Sequence, residues 1–279
     1  MTFKNCSFVL YQSKIIDQIL SQHSIKSFSA ALFKKPFYLA FINIFIQFKR
    51  PLDVLVRYVL EVGDYPKKFL IRTPLGLQSV TTFSHPDLIT LIECFGKLDY
   101  RAPKNTSVVV DFGSNIGISA LYFLTRNPDV KVYLFEPVPR NVKRLKENLK
   151  GFEKRYALQE CAVGVEEGQL DFACDDTGRH GGLIKGGAPY FAEWAPEKII
   201  SVKVKRANQT LEDVLSRHDF VDIVKIDVEG YENKILSHLE IDILARISRI
   251  YAETNDDQKI NGFSSESACG LTRYYRIQS

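Results

Sequence analysis

The sequence predicts an α/β chain: a doubly wound, mostly parallel sheet with helices on both faces, preceded by a helical N-terminal appendage. Three observations carry that expectation. The run Val108–Gly117 (VVVDFGSNIG) passes from valines to an acid and then to glycines; VKVYLF ends on Glu136; and DIVKIDV ends on Asp227-Val228-Glu229-Gly230. Each run is strand-length and is followed by apolar residues at helical spacing, and strands that alternate with helices build parallel sheets.

In chain order, residues 1–67 read as the appendage. Ile15, Ile16, Ile19 and Leu20 share one helical face, as do Leu52, Leu55, Val56, Val59 and Leu60 behind Pro51, a favourable first-turn residue. Between them, Phe37 to Phe48 is aromatic and apolar nearly all round. Such a helix packs on the main domain, contacts a second copy, or lies in a membrane interface. It is interrupted by Asn43 and Gln47 and closed by Lys49 and Arg50, and it falls short of the ~20 residues a membrane span needs.

The main domain is assigned to residues 68–279. Lys68 to Phe83 holds two β-like runs about the turn Thr73-Pro74-Leu75-Gly76, which reads as a hairpin. His85-Pro86-Asp87 then opens a helix ending at Gly96. Val108–Val110 form a strand buried on both faces, because β-branched side chains are stiff and pack well on a pleat. Asp111 ends that strand, and Gly113 and Gly117 allow a sharp turn and a close backbone approach before the next helix.

Glu136 ends the second strand, nineteen positions beyond Gly117. An acid there suits vicinal ribose hydroxyls, since one carboxylate accepts from both. The turn Gly113-Ser114-Asn115-Ile116-Gly117 departs from GxGxxG: Asn115 replaces a glycine and the last glycine comes one residue early. That spacing disfavours a pyrophosphate. It suits S-adenosylmethionine, whose amino-acid end offers an ammonium and a carboxylate to an acid, an Asn side chain and turn amides.

Taken together, DFGSNIG, FEPVPRNVKRLKENL and VDIVKIDVEGYENKIL resemble the FkbM family of S-adenosylmethionine-dependent methyltransferases, over about Val80 to Thr254. The resemblance implies a class I Rossmann-like fold and methyl transfer to a hydroxyl oxygen of a glycan or secondary metabolite. It places Asp111, Gly113, Asn115 and Gly117 at the methionine end of the cofactor, Glu136 at the ribose, and Ala162 and Val163, after the third strand Tyr156–Val163, beside the adenine.

Beyond the minimal sheet, residues 168–205 read as an inserted hairpin or lid in which Gln169–Cys174 pairs antiparallel with Ile199–Lys205. The intervening stretch holds five glycines, His180, Tyr190, Phe191 and Trp194, whose aromatic faces suit sugar rings. Thr210 reads as a helix cap before LEDVLSRH. Residues 255–279 are polar and serine-rich, and only Thr272–Gln278 resembles a strand, so an incomplete final hairpin is expected.

Methyl transfer requires alignment of oxygen, carbon and sulfur and a base for the hydroxyl proton. Asp227, Glu229 and Glu253 sit at strand ends and, with His180, are the candidate bases; three converging acids would raise the pKa of one. The bland assignment gives Asp227 to the cofactor ammonium, Glu229 to capping the next helix, and Glu253 to structure. No His accompanies the acids in their motifs, so no metal is expected.

Composition narrows the classes. The 279 residues are 45% hydrophobic and 25% charged with a net charge of +4, and basic residues alternate with acids as in KRLKEN, which argues against nucleic-acid binding. Five cysteines without a CxxC read as reduced thiols, and with no leader pattern at the N-terminus a cytoplasmic location is expected. Two other functions stay open: a dinucleotide-dependent oxidoreductase, and a non-catalytic cofactor-binding or scaffold protein.

Overall fold

A computed structural model describes residues 35–174, 181–184, 198–254 and 258–277. Its helices are α1 (Lys35–Gln47), α2 (Pro51–Leu60), α3 (His85–Ile92, continued by a π-helical turn Glu93–Lys97), α4 (Ile118–Leu124), α5 (Pro139–Asn148), α6 (Ala207–Leu215), α7 (Glu232–His238) and α8 (Ile241–Leu244). Seven strands make the central sheet, in the order β5 (Tyr156–Gln159), β4 (Lys131–Phe135), β3 (Val108–Phe112), β10 (Val221–Ile226), β11 (Ile247–Ala252), β13 (Leu271–Arg276) and β12 (Phe263–Ala268). The first five run parallel, and β13 and β12 are antiparallel additions.

All five residues of β3 are buried, and they alternate between two cores. Val109 joins one core with Leu121, Phe123 and Leu145; Val110 and Phe112 join the other with Leu211, Ile235 and Ile243. A strand covered on both faces explains why VVV carries no polar alternation. Winding reverses between β3 and β10, so the crevice at their carboxyl ends is where an open α/β sheet takes ligands.

The hairpin β1 (Lys67–Thr73) and β2 (Gly76–Thr82) closes at Thr73–Gly76. The Asn148 side chain binds both backbone groups of Thr81 and also donates to the carbonyl of Ile116 at 3.0 Å, tying this hairpin to the glycine turn. Ser84 caps α3 by accepting from the amide of Asp87. The N-terminal helices are not a separate body: Ala40, Ile44, Phe48 and Val54 lie in the same core as Val109.

Three sequence expectations are corrected here, and one, the antiparallel pairing of Gln169–Cys174 with Ile199–Lys205, is met. Tyr156–Val163 is two strands, because Cys161 turns the chain by donating to Gln159 O; β6 (Ala162–Gly164) leaves the central sheet and pairs with β9 (Lys198–Arg206). With β7 (Gly168–Cys174) and β8 (Gly181–Ile184) these form a second sheet, in which β7 faces β9 with Gln169 opposite Lys203 and Cys174 opposite Lys198. Thr210 is buried inside α6 and not its cap, since β9 runs straight into the helix at Ala207. The fourth strand ends at Ile226, before Asp227.

The final hairpin is also complete. Ser264–Ser267 is polar because β12 is an edge strand whose exposed residues need no core, while Phe263 at its start is buried.

Gly113 and Gly151 separate two costs of replacing glycine. Both have positive φ, +79° and +96°, but a Cβ on Gly151 meets nothing within 4 Å, whereas one on Gly113 would lie 1.7 Å from the Asp227 carbonyl oxygen. Gly151→Ala is expected to cost about 1–2 kcal/mol from the left-handed backbone alone. Gly113→Ala is expected to cost on the order of 3 kcal/mol or more, since backbone must move as well. Urea denaturation of the two variants checks the difference.

Candidate functional site

The site is built from strand ends. After β3 the chain must turn at Gly113, and the amides of Gly113 and Ser114 both donate to Phe135 O at 3.0 Å. Ser114 Oγ donates to Asp111 O and accepts from the amide of Phe135, so the turn is fastened to β4 on both sides. Asn115 takes φ +45°, a region that Asn tolerates better than most side chains.

Around this turn lies an open cleft lined by Asp87, Thr90 and Glu93, by Gly113–Ile116, Ile118 and Ser119, and by Lys225, Asp227, Glu229 and Glu253. Five of the sequence candidates therefore meet there: Gly113, Asn115, Asp227, Glu229 and Glu253. The Asn115 Oδ1 is buried and accepts no hydrogen bond.

Lys225 lies beneath the floor, and sequence reading passed over it. Its side chain is buried on β10, with Nζ 3.1 Å from Asp111 Oδ1, 3.1 Å from Asp227 Oδ2 and donating to Gly113 O at 3.0 Å. The Asp111 contact is an ion pair by distance without hydrogen-bond alignment. Burial works against the ammonium, but Asp111, Asp227 and Glu253 outweigh it and raise its pKa.

Asp111 is fully buried, and its other oxygen accepts from Ser119 Oγ at 2.7 Å. It holds Lys225 from behind the cleft and does not line it. Gly117 is likewise structural: a Cβ there would press on Leu145 at 3.1 Å and Leu149 at 3.3 Å, so its bareness lets α5 pack.

Glu253 accepts from the Tyr100 hydroxyl, and its backbone amide donates to Ile226 O, which sets the end of β11 beside that of β10. Water reaches the carboxyl, yet protein crowds it on the remaining sides. Burial first, then the charge of Asp227, raises its pKa, against the opposing effects of Lys225 and Tyr100.

Glu229 does not continue the strand as expected; it has φ +56°, so Asp227 and Glu229 are not paired by extended geometry although both line the cleft. Capping of the turn falls to Glu232, which accepts from the amides of Val228 and Gly230.

Glu136 is buried and brackets the turn. Oε2 accepts from the Asn115 amide at 2.9 Å, and Oε1 accepts from Val138 N at 2.9 Å and Asn141 Nδ2 at 3.3 Å. Burial pushes its pKa up to about 7 despite those three donors. Ala162 and Val163 are packed side chains in the cores beneath the second sheet, and not an open wall. His180, Tyr190, Phe191 and Trp194 lie outside the described residues.

Asp87, Thr90 and Glu93 were the remaining omission. They recur every third residue on α3 and its π-helical turn, opposite the buried Leu88, Leu91 and Ile92, and that polar stripe in an apolar helix was the available signal. Among the described residues no group of three or more His, Cys, Asp or Glu has metal-holding geometry.

Comparison with known proteins places this geometry in context. The methyltransferase FkbM domain family matches residues 111–264, from the acid of the glycine turn to the start of β12. The chain is 26% identical to the 2-O-methyltransferase NoeI of Sinorhizobium fredii over 228 residues, covering 73% of this chain and 86% of that protein. It is 26% identical to the 31-O-demethyl-FK506 methyltransferase FkbM of Streptomyces tacrolimicus, covering 53% of this chain and 65% of that one. The solved methyltransferase FkbM from Methylobacillus flagellatus KT is 12% identical over 68% of this chain and 54% of its own, with a TM-score of 0.35.

Two outcomes follow from the buried charges. Lys225→Met removes a counter-charge that touches both Asp111 and Asp227, and is expected to lower stability by about 3–5 kcal/mol in urea titrations. Glu136 binds its proton more tightly folded than unfolded, so between its ordinary 4.5 and about 7 folding takes up protons and stability falls as pH rises. Across that window the wild type should lose on the order of 3 kcal/mol relative to Glu136→Gln, read from melting temperatures of the two proteins.

Proposed function

The chain belongs to the FkbM methyltransferase family, and from that premise we propose that its cleft takes S-adenosylmethionine and directs the methyl group to a hydroxyl oxygen of a glycan or secondary metabolite. The observation that carries this reading is the acid-rich cleft at the switch point. Among the described residues Asp87, Glu93, Asp227, Glu229 and Glu253 line it against one cation, Lys225, which is itself held by two acids.

The residues present fit this cofactor. A ligand with a sulfonium and an ammonium suits an acidic cleft, and the unpartnered Asn115 Oδ1 supplies an acceptor for the ammonium. A pyrophosphate would meet the same acids as repulsion, which counts against the dinucleotide-dependent oxidoreductase. The scaffold alternative drew on an incomplete final hairpin and on the apolar N-terminal stretch; the hairpin is formed.

When bound, S-adenosylmethionine would supply an electrophilic methyl group: an acceptor oxygen attacks that carbon in line as the carbon–sulfur bond breaks and S-adenosylhomocysteine leaves. Asp227, ion-paired with Lys225, would hold the ammonium together with Asn115 at the methionine end of the cofactor. Among the described residues Glu136 Oε2 accepts one hydrogen bond, from the Asn115 amide, and so retains capacity for a ribose hydroxyl. Glu253, with its pKa raised by burial and by Asp227, takes the acceptor's proton.

Hydroxylated acceptors also agree with the relatives, two named oxygen methyltransferases. The stripe Asp87, Thr90 and Glu93 offers such an acceptor three polar side chains on one wall.

Calorimetric titration with S-adenosylmethionine, S-adenosylhomocysteine and NAD in parallel tests the cofactor: micromolar binding of the first two and none of NAD is expected, and the reverse pattern would sink the reading. With a glycan or polyketide acceptor panel scored by S-adenosylhomocysteine release, Glu253→Gln is expected to lower kcat about 100-fold while leaving cofactor affinity within about threefold. Asp227→Asn is expected to weaken cofactor binding about tenfold. If Glu253→Gln retained full kcat, the proton would leave by another group.

A further inference from the structure

Helix α1 is apolar on two sides, and only one of them is used. Ala40, Ile44 and Phe48 enter the core, whereas Tyr38, Phe41, Ile42, Phe45 and Ile46 form an exposed stripe at the spacing of one helical face, with Tyr38 59% and Ile46 60% exposed. The Phe41 and Phe45 rings contact each other within it, their centroids 5.1 Å apart. Helix α2, which touches α1, repeats the pattern with Leu52, Val56, Val59 and Leu60. A contiguous apolar surface of this kind on a water-facing helix calls for a partner.

The charge at its edge says which. Lys49 and Arg50 follow α1 directly and are exposed. The Lys49 amide donates to Leu70 O at 2.9 Å, bringing the outer face of β1, with Lys68, Leu70 and Arg72 exposed, against the end of the stripe. Arg72 Nη1 donates to Ile46 O at 3.1 Å, which fixes one cation at the helix C-terminus. Asp53, the acid nearest in sequence, is already paired with Arg57 and Lys67.

Four cations around an apolar stripe are poorly suited to the chain's own surfaces. An isologous contact with a second copy would set this basic edge against itself. Residues 1–34 carry Lys4, Lys14, Lys26 and Lys34 against a single acid, Asp17, so they offer no complement either. An anionic lipid surface offers both halves: acyl chains for Phe and Ile, headgroups for Lys and Arg. We propose that α1, α2 and the outer face of β1 dock on an anionic bilayer, with the stripe from Tyr38 to Ile46 entering the interface and Lys49, Arg50, Lys68 and Arg72 at the headgroups.

The dock bears on the cleft through one shared element. Asn43 on α1 donates to Gly96 O at 2.6 Å in the π-helical turn, and that turn carries Glu93 into the cleft. A bilayer-bound chain therefore holds the α3 wall at a fixed distance from the lipid. The proposal does not depend on the reaction assigned above, and its test uses neither cofactor nor acceptor.

Co-sedimentation of the full chain with vesicles of phosphatidylcholine alone, and of phosphatidylcholine with phosphatidylglycerol, reads the dock directly. Partitioning at least about tenfold stronger onto the anionic vesicles is expected, weakening as salt is added. The double variant Phe45→Asp, Ile46→Asp should lose about tenfold in binding to them. Lys49→Glu with Arg50→Glu should remove the anionic preference. All four side chains point to solvent, and unchanged melting temperatures would certify the folds.

Wild-type protein left in the supernatant with both vesicles overturns the proposal, as does undiminished binding by the two variants. A dimer that the Phe45→Asp, Ile46→Asp variant dissociates, with no vesicle binding, overturns it in favour of a second copy. Retention on immobilised polyglutamate without vesicle binding overturns it in favour of an acidic protein partner.

Discussion

A single buried ammonium organises the floor of this protein's cleft. Lys225 sits in the middle of β10 among Ile223, Val224 and Ile226, a position where an apolar residue would be unremarked, and there it joins Asp111 on β3, Asp227 past the end of β10, and the carbonyl of Gly113 in the turn. An ion so buried is tolerated only when its partners are close and complete, since desolvation alone would drive it neutral. The two strands at the switch point are thereby locked in register by charge as well as by their ladder. The acids that remain on the cleft side are then free to differ in character: Asp227 neutralised by Lys225, Glu253 pushed toward its protonated form by burial and by Asp227.

The same arrangement explains how much of the site was legible beforehand. Asp111, Gly113, Asn115, Gly117 and Glu136 stood out because acid and glycine at strand ends break an otherwise apolar pattern, and the positive φ at 113, 115 and 117 bears out the need for a turn there. What spacing could not assign was depth. Asp111 and Gly117 work from behind the cleft; Gly117 is bare for the benefit of Leu145 and Leu149, and Gly113 for the passage of a carbonyl. A one-dimensional motif marks where backbone is crowded, without saying whether protein or ligand does the crowding.

Lys225 and the α3 stripe went unseen for opposite reasons. A lysine inside VDIVKIDV looks like the polar half of an alternating strand, and its burial depends on Asp227 two residues on and on Asp111 brought from β3. Asp87, Thr90 and Glu93 did repeat at helical spacing, but their helix lies before the glycine turn and outside the recognisable motifs. The C-terminal hairpin was underestimated because an edge strand can be polar: Ser264–Ser267 needs only its ladder to β13, and hydrophobicity is a poor guide where one side of a strand is solvent.

The close passage of Gly113 beneath the Asp227 carbonyl has a consequence for how this cleft can change over time. Its inner end is dimensioned by main chain, with 1.7 Å where a side chain would have to stand, so no substitution at that point can widen or reshape it gradually. Another wall is a row of side chains on a helix, of which Thr90 and Glu93 hold, among the described residues, no backbone outside that helix. Divergence toward new acceptors is therefore channelled to one side: the half that receives the methyl donor is inherited nearly whole, and novelty accumulates on the helix.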